Sequence, residues 1–304
     1  MASPDTTLIR EQLRFRSGDA ECAAVLIRPE TAEPVPCVVL GHGFGAVKEG
    51  GPIRVAERYA EAGFAGLAFD YRHFGESGGE PRQLVDIDRQ LDDWRAAIAY
   101  ARTLDGIDGE RIAIWGSSFA GGHVVAIAAD DPRVAAVVSQ VPYVDGIPTL
   151  LGFGPANIVK LTAAGLRDQL GALMGRSPHC IAVVGPPGST AFMNTPDAMP
   201  GFEAMYESGF EWRNEAVARL ALRVPLHRPG RRAREVRCPL LVQVAAEDAL
   251  TPPAPAIEMA SRAPRGELLT YAGLGHFDVY RGEAYERALG DQLEFLGRHL
   301  RTEN

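Results

Sequence analysis

Residues 114–122 read Ile-Trp-Gly-Ser-Ser-Phe-Ala-Gly-Gly. The apolar run Arg-Ile-Ala-Ile-Trp enters this stretch and the helix-forming run Ala-Gly-Gly-His-Val-Val-Ala-Ile-Ala-Ala leaves it, so the chain must turn sharply from strand to helix. Such a turn lifts one side chain above the sheet and crowds the residues two before and two after it, which must be small. With Ser117 at the apex those flanks are Trp115 and Phe119; with Ser118 they are Gly116 and Ala120. The predicted apex, and candidate nucleophile, is therefore Ser118, with Ser117 a structural neighbour.

The rest of the chain supplies a matching scaffold. Residues 8–29 alternate like a strand pair around Ser17-Gly18-Asp19. Strands are expected at 37–40, 64–69, 112–115, 134–138, 240–245 and 267–271, and helices at 55–62, 87–103, 121–129 and 254–262. A closing helix carries Tyr285, Leu289, Leu293, Leu296 and Leu300 on one face. Strands alternating with helices of this length imply βαβ units around a mostly parallel sheet, and a chain of 304 residues that is 46% hydrophobic can bury a sizeable core. Between about Gly146 and Arg237 the rhythm breaks. Short helical pieces at 158–174 and 211–223, with GPPGS and NTPDAMPG between them, read as a mainly helical cap insertion. The expected organisation is a core of residues 1–145 and 238–304 with a cap of 146–237.

A serine needs a base and an orienting acid, expected on later loops that follow strands. His276 lies in Ala-Gly-Leu-Gly-His-Phe just past the strand ending at Tyr271, and Asp248 follows the strand Leu-Leu-Val-Gln-Val-Ala. Glu247 and Asp145 are rivals for the acid. Two amides are expected to face the developing oxyanion: that of Phe119, after the nucleophile, and that of Phe44, in Leu-Gly-His-Gly-Phe-Gly at 40–45. Met193, Met205 and Tyr206, with Phe153, Met174 and Phe202, are candidates for an apolar acyl pocket under the cap, although packing within the cap explains them equally well. His42 reads as a backbone support, and Asp70 and Arg72 as residues that order their loop.

Ser118, Asp248 and His276 stand in α/β-hydrolase order. Nearly the whole chain resembles that superfamily. HGFG, DYRHFGESGGEP, GSSFAGG, EDALTPP and GHFDVYRGE are similar to the branch of dienelactone-hydrolase-like esterases, relatives of X-prolyl dipeptidyl peptidases, polyketide transferases and thiohydrolases. The resemblance implies an acyl-enzyme mechanism on an oxoester or thioester, with water or another nucleophile as acceptor. It implies no cofactor.

Two other classes compete. Gly41-x-Gly43-x-x-Ala46 with Asp70 at the end of the next strand imitates a dinucleotide fingerprint, but no helix begins within those glycines. A binding protein that has lost its chemistry would not be expected to keep all three residues. The net charge of −8 argues against nucleic acid or an anionic membrane as the partner. The basic run 228–237 reads as a solvated loop, or alternatively as the rim of an anion-attracting pocket. The absence of an apolar leader or a ~20-residue apolar span gives a cytoplasmic reading, with a small-molecule ester or thioester as partner; a homo-oligomer is compatible. Cys22, Cys37, Cys180 and Cys238 are dispersed, which indicates neither a zinc site nor a disulfide framework.

Overall fold

A computed structural model describes residues 7–152 and 154–301. Strands β1 (Leu8–Ser17) and β2 (Ala20–Pro29) form the expected antiparallel hairpin. Then β3 (Val35–Gly41), α1 (Pro52–Glu61), β4 (Ala65–Phe69), α2 (Ile87–Ala101), β5 (Ile107–Ser117), α3 (Phe119–Asp130) and β6 (Ala136–Gln140) alternate as the sequence predicts. Asp86 caps α2 by accepting the Arg89 amide.

The next segment holds α4 (Gly146–Gly152), α5 (Pro155–Leu173), β7 (Cys180–Val184), β8 (Ala191–Met193), α6 (Ala198–Glu203) and β9 (Ala216–Val217). The alternation resumes with β10 (Leu240–Ala245), α7 (Pro253–Arg262), β11 (Gly266–Tyr271) and α8 (Gly282–Leu300).

The main sheet has eight strands in the order β1-β2-β4-β3-β5-β6-β10-β11. β2 pairs antiparallel with β1 and β4, and every pair from β4 onward is parallel. Because side chains alternate along a strand, neighbouring residues go to opposite faces. Val38, Leu40, Trp115 and Val138 meet Tyr59 of α1 and Leu289, Phe295 and Leu296 of α8. Val39, Ile114 and Val137 lie on the other face, with Trp94 of α2, Val124 of α3 and Met259 of α7. Each large side chain buried this way stabilises the fold by about 1.5–3 kcal/mol.

α8 also carries a polar tie. Gln292 donates to Gln140 Oε1 and Gln243 Oε1, both at 2.7 Å, and accepts from Tyr59 Oη at 2.7 Å. Gln140 donates in turn to Ser117 Oγ at 3.1 Å. Glutamines this deep are tolerated because their amides find partners among themselves.

The segment between β6 and β10 departs from the expected pattern. β7, β8 and β9 form a second, three-stranded sheet in the order β8-β7-β9. The expected helix over 211–223 is absent: β9 and a 3₁₀ turn, Ala218–Leu222, stand there instead. Val217 pairs with Cys180, which holds this stretch extended. The helix expected at 158–174 is α5, but Met174 at its end is exposed. Phe153 lies outside the described residues.

Candidate active site

β3, β5, β6, β10 and β11 run parallel, so their C-terminal ends share one edge, where ligands of open α/β sheets gather. Ser118 follows β5 with φ +56° and ψ −118°, in the left-handed half of backbone space that a residue with a side chain adopts only under constraint. The constraint is visible. The Ser118 amide donates to Gln140 O at 2.9 Å, and its carbonyl accepts from Tyr143 at 2.8 Å and Gly121 at 2.9 Å. A Cβ on Gly116 would lie 2.3 Å from the Ala120 carbonyl oxygen, which gives the small-flank argument its physical content. Ser117 goes elsewhere: its Oγ is 2.5 Å from Tyr280 Oη, within the buried glutamine network.

His276, on the loop after β11, reaches Ser118 Oγ with Nε2 at 3.1 Å, while its Nδ1 stands 2.7 Å from Asp248 Oδ2. All three side chains are buried. Asp248 is itself fixed: its Oδ1 accepts the amides of Leu250 (2.8 Å) and Thr251 (2.7 Å), and its Oδ2 accepts the Thr251 hydroxyl (2.8 Å). The rivals are committed or remote. Asp145 is ion-paired with Arg228 at 2.6 Å, and Glu247 is exposed.

The loop after β3 passes over Ser118. A Cβ on Gly43 would be 3.3 Å from Ser118 Cβ, a tight contact that glycine avoids. The loop is anchored at Lys48, whose amide and ammonium both bind Asp70, at 2.8 and 2.9 Å. Burial pulls the Lys48 ammonium down, but Asp70, Glu49 and Glu76 outweigh it and hold its pKa above the usual lysine value. With Asp70 occupied in this way and α1 beginning only at Pro52, the dinucleotide fingerprint is an imitation. Arg72 orders the same region through a different partner, Asp93, at 2.8 Å. Phe119 is the first residue of α3, where an amide has no partner inside the helix. Its ring and that of Phe44 pack edge-to-face, with centroids 5.9 Å apart.

Two cavities flank Ser118. The larger, about 50 Å³, is walled by Phe44, Phe119, Tyr143, Phe192, Met193, Val224 and Leu250, with Thr149 and Thr251. The smaller, about 10 Å³, is walled by Met193, Phe202, Met205, Phe277, Tyr280 and His276. Met193 and Met205 therefore do reach the site. Tyr206 is not on either wall: its ring stacks on Trp212 and Phe210 and packs against Gly50. The basic run 228–237 is on neither wall; Arg228 and Arg232 pair with Asp145, Asp130 and Glu235.

A family model for the α/β hydrolase fold matches residues 36–283. The chain belongs to that family. This α/β hydrolase is 44% identical over 286 residues to the quorum-quenching protein AidA of Acinetobacter baumannii (strain MDR-ZJ06), covering 94% of each chain. It is 27% identical to the polyketide transferase ATR5 of Stachybotrys chlorohalonatus (strain IBT 40285), covering 97% of this chain and 99% of that one. Among solved structures, the α/β hydrolase GrgF from Penicillium sp. sh18 superposes with a TM-score of 0.81 at 24% identity, covering 96% and 99%. That last likeness speaks to the fold alone. The protein is an enzyme of the hydrolase type. None of its described helices is long and apolar enough to cross a membrane.

Three histidines, His42 and His123 buried and His227 half-buried, stand around the site. His42 donates from Nδ1 to Gly43 O at 2.9 Å and accepts the Tyr71 amide at 3.4 Å, the backbone role expected of it. Burial lowers its pKa from 6.5 to about 4, does the same to His227, and pushes His123 well below its usual value. Unfolded, these groups take up protons below about pH 6.5 that the folded protein refuses, so stability rises with pH between about 4 and 6.5 and falls on acidification. Urea midpoints at pH 7 and pH 5 are expected to show this loss, at up to about 1.4 kcal/mol per pH unit for each such histidine. A midpoint unchanged between the two would contradict it.

Proposed function

We propose that the protein is a serine hydrolase that cleaves a carboxylic ester or thioester through a covalent acyl-enzyme. The observation that carries this reading is the continuous relay from Ser118 Oγ through His276 to Asp248, at 3.1 and 2.7 Å, on a strained strand-to-helix turn. Ser118 attacks the carbonyl carbon as His276 takes its proton. Asp248 orients the imidazole and stabilises its cationic form. The amides of Phe44 and Phe119 hold the oxygen as it becomes negative. His276 then protonates the leaving heteroatom, and a second nucleophile, deprotonated by the same imidazole, releases the acyl group.

Residues 146–237 act in this reading as a cap over a core of 1–145 and 238–304. Phe192, Met193, Phe202, Met205 and Val224 all come from the cap and face Ser118 across the cavities. They exclude water from the site and select the substrate. The likeness to a polyketide transferase supports a second reading, in which an acceptor other than water receives the acyl group. The likeness to a quorum-quenching protein brings quorum-sensing signals that contain an ester or thioester into the range of substrates.

The test is intact mass after rapid mixing with a panel of activated esters, thioesters and quorum-sensing signals. A transient adduct of the acyl mass on wild type, mapped to the peptide carrying Ser118, is the expected result. No adduct with any member, together with no product, would overturn the acyl-enzyme reading.

A further inference from the structure

The loop that carries Phe44 is held from two directions. On the core side, His42 binds Gly43 O and Lys48 binds Asp70, which fixes the loop before and after Phe44. The middle of the loop meets the cap. Gly45 lies bare against β7: a Cβ there would be 2.6 Å from Val183 Cγ2 and 2.7 Å from Val183 Cγ1. The Phe44 ring packs edge-to-face on Phe192 of β8, with centroids 4.9 Å apart, closer than its 5.9 Å to Phe119.

The two cap residues stand together by register. β7 and β8 run parallel, with Ala182 opposite Ala191 and Val184 opposite Met193, which sets Val183 beside Phe192 on the same face of the small sheet. Both are buried. Building on the acyl-enzyme reading, we infer that Val183 and Phe192 are positioning residues for the oxyanion hole: the cap's three-stranded sheet presses residues 44–45 onto the core and so aims the Phe44 amide at the reacting oxygen. The Phe44 N–H lies in one plane with Gly43 O and points away from it. Gly43 O is tethered by His42 Nδ1 at 2.9 Å and by the Ala46 amide at 3.3 Å. A plane pinned at that oxygen still tilts when the Phe44 Cα moves. The ring contact at Phe44 and the backbone contact at Gly45 remove that freedom.

The cap then contributes to the chemistry of every substrate, including one whose acyl part is a single methyl group. Loss of a whole oxyanion donor costs about 10²–10³-fold in kcat, and a displacement of about 1 Å in a group that meets the transition state costs about 100-fold. Phe192 also borders the larger cavity, whereas Val183 borders neither. Val183 therefore separates the positioning of the loop from contact with the substrate.

The experiment compares phenol release from phenyl acetate and from O-phenyl thionoacetate, in which sulfur replaces the carbonyl oxygen. Thiocarbonyl sulfur is a poor hydrogen-bond acceptor, so its rate depends little on the oxyanion donors, while both esters need Ser118, His276 and Asp248. Val183→Ala and Phe192→Ala are each expected to lower kcat for the oxoester about 10–100-fold with KM moved less than about three-fold, and to lower the thionoester less than about three-fold. Val183→Thr keeps the shape pressed on Gly45 and is expected to keep the ratio of the two esters within about three-fold of wild type. Leu220→Ala truncates a side chain buried in the 3₁₀ turn of the cap and is expected to lower the Tm while keeping that ratio.

An equal fall for both esters, an oxoester rate unchanged in Val183→Ala, or a ratio that drops as far in Leu220→Ala would each overturn the assignment. Loss of folding by both alanine variants at positions 183 and 192, with Leu220→Ala folded, would also overturn it, since these side chains would then be structural supports. Absence of both fluorophosphonate labelling and phenol release on wild type would instead overturn the acyl-enzyme reading itself.

Discussion

Ser118→Ala is expected to abolish covalent labelling by a fluorophosphonate and to lower kcat by roughly 10⁵–10⁶-fold, the range seen when a nucleophile acting as part of a unit is removed. Ser117→Ala is expected to keep the label. The two serines are adjacent, but the turn separates their surroundings: Ser118 Oγ meets His276 at 3.1 Å, whereas Ser117 Oγ meets Tyr280 and Gln140. Ser117→Ala leaves Tyr280 and Gln140 short of a partner, so its effect belongs in thermal stability, at about 1–3 kcal/mol. Labelling retained in Ser118→Ala and lost in Ser117→Ala would place the apex one residue earlier.

Asp248→Asn is expected to lower kcat about 10³–10⁴-fold with the fold retained. An amide in place of the carboxylate cannot stabilise the imidazolium and favours the wrong tautomer. The Leu250 and Thr251 amides would still hold the side-chain oxygen, so KM for a short ester should move little. Asp145→Asn breaks the pair with Arg228 and is expected to cost less than ten-fold in kcat. A steady-state comparison of the two variants on one activated ester decides the matter: if Asp145→Asn is the more damaging, the acid sits after β6 and the relay drawn here is incorrect.

Much of this was legible because local rules and global fold agree. The crowding at Gly116 and Ala120, the glycines over Ser118 and the order of the three residues are each dictated by a strand, a turn and a loop only a few residues long. Asp248 needed more than order, since Asp145 also follows a strand; what separates them in space is the Arg228 partner, contributed by a residue far along the chain. Thr251 was readable in principle. An aspartate followed three residues later by threonine, Asp248-Ala-Leu-Thr251, is the pattern of a carboxylate that collects the amides ahead of it.

The cap resisted for a physical reason. β8 has three residues and β9 two, too short for alternation to register, and β9 pairs with Cys180 and Ile181, more than thirty residues earlier in the chain. Tyr206 and Phe192 look alike as aromatic residues in a proline-rich stretch, yet one stacks on Trp212 and the other faces Ser118's cavity. Tertiary packing makes that difference, and no local pattern carries it.

The glutamine tie under the sheet bears on when the enzyme becomes reactive. Gln292 lies near the end of the chain and joins Tyr59, Gln140 and Gln243, and Gln140 in turn holds both the Ser118 amide and the Ser117 hydroxyl. On the ribosome, where a chain emerges from its N-terminus, the turn at Ser118 is synthesised early but lacks this support until α8 has left the exit tunnel and docked. A nascent chain or a fragment ending before α8 thus carries Ser118 without the Gln292 tie that holds the Gln140 side chain beneath its turn.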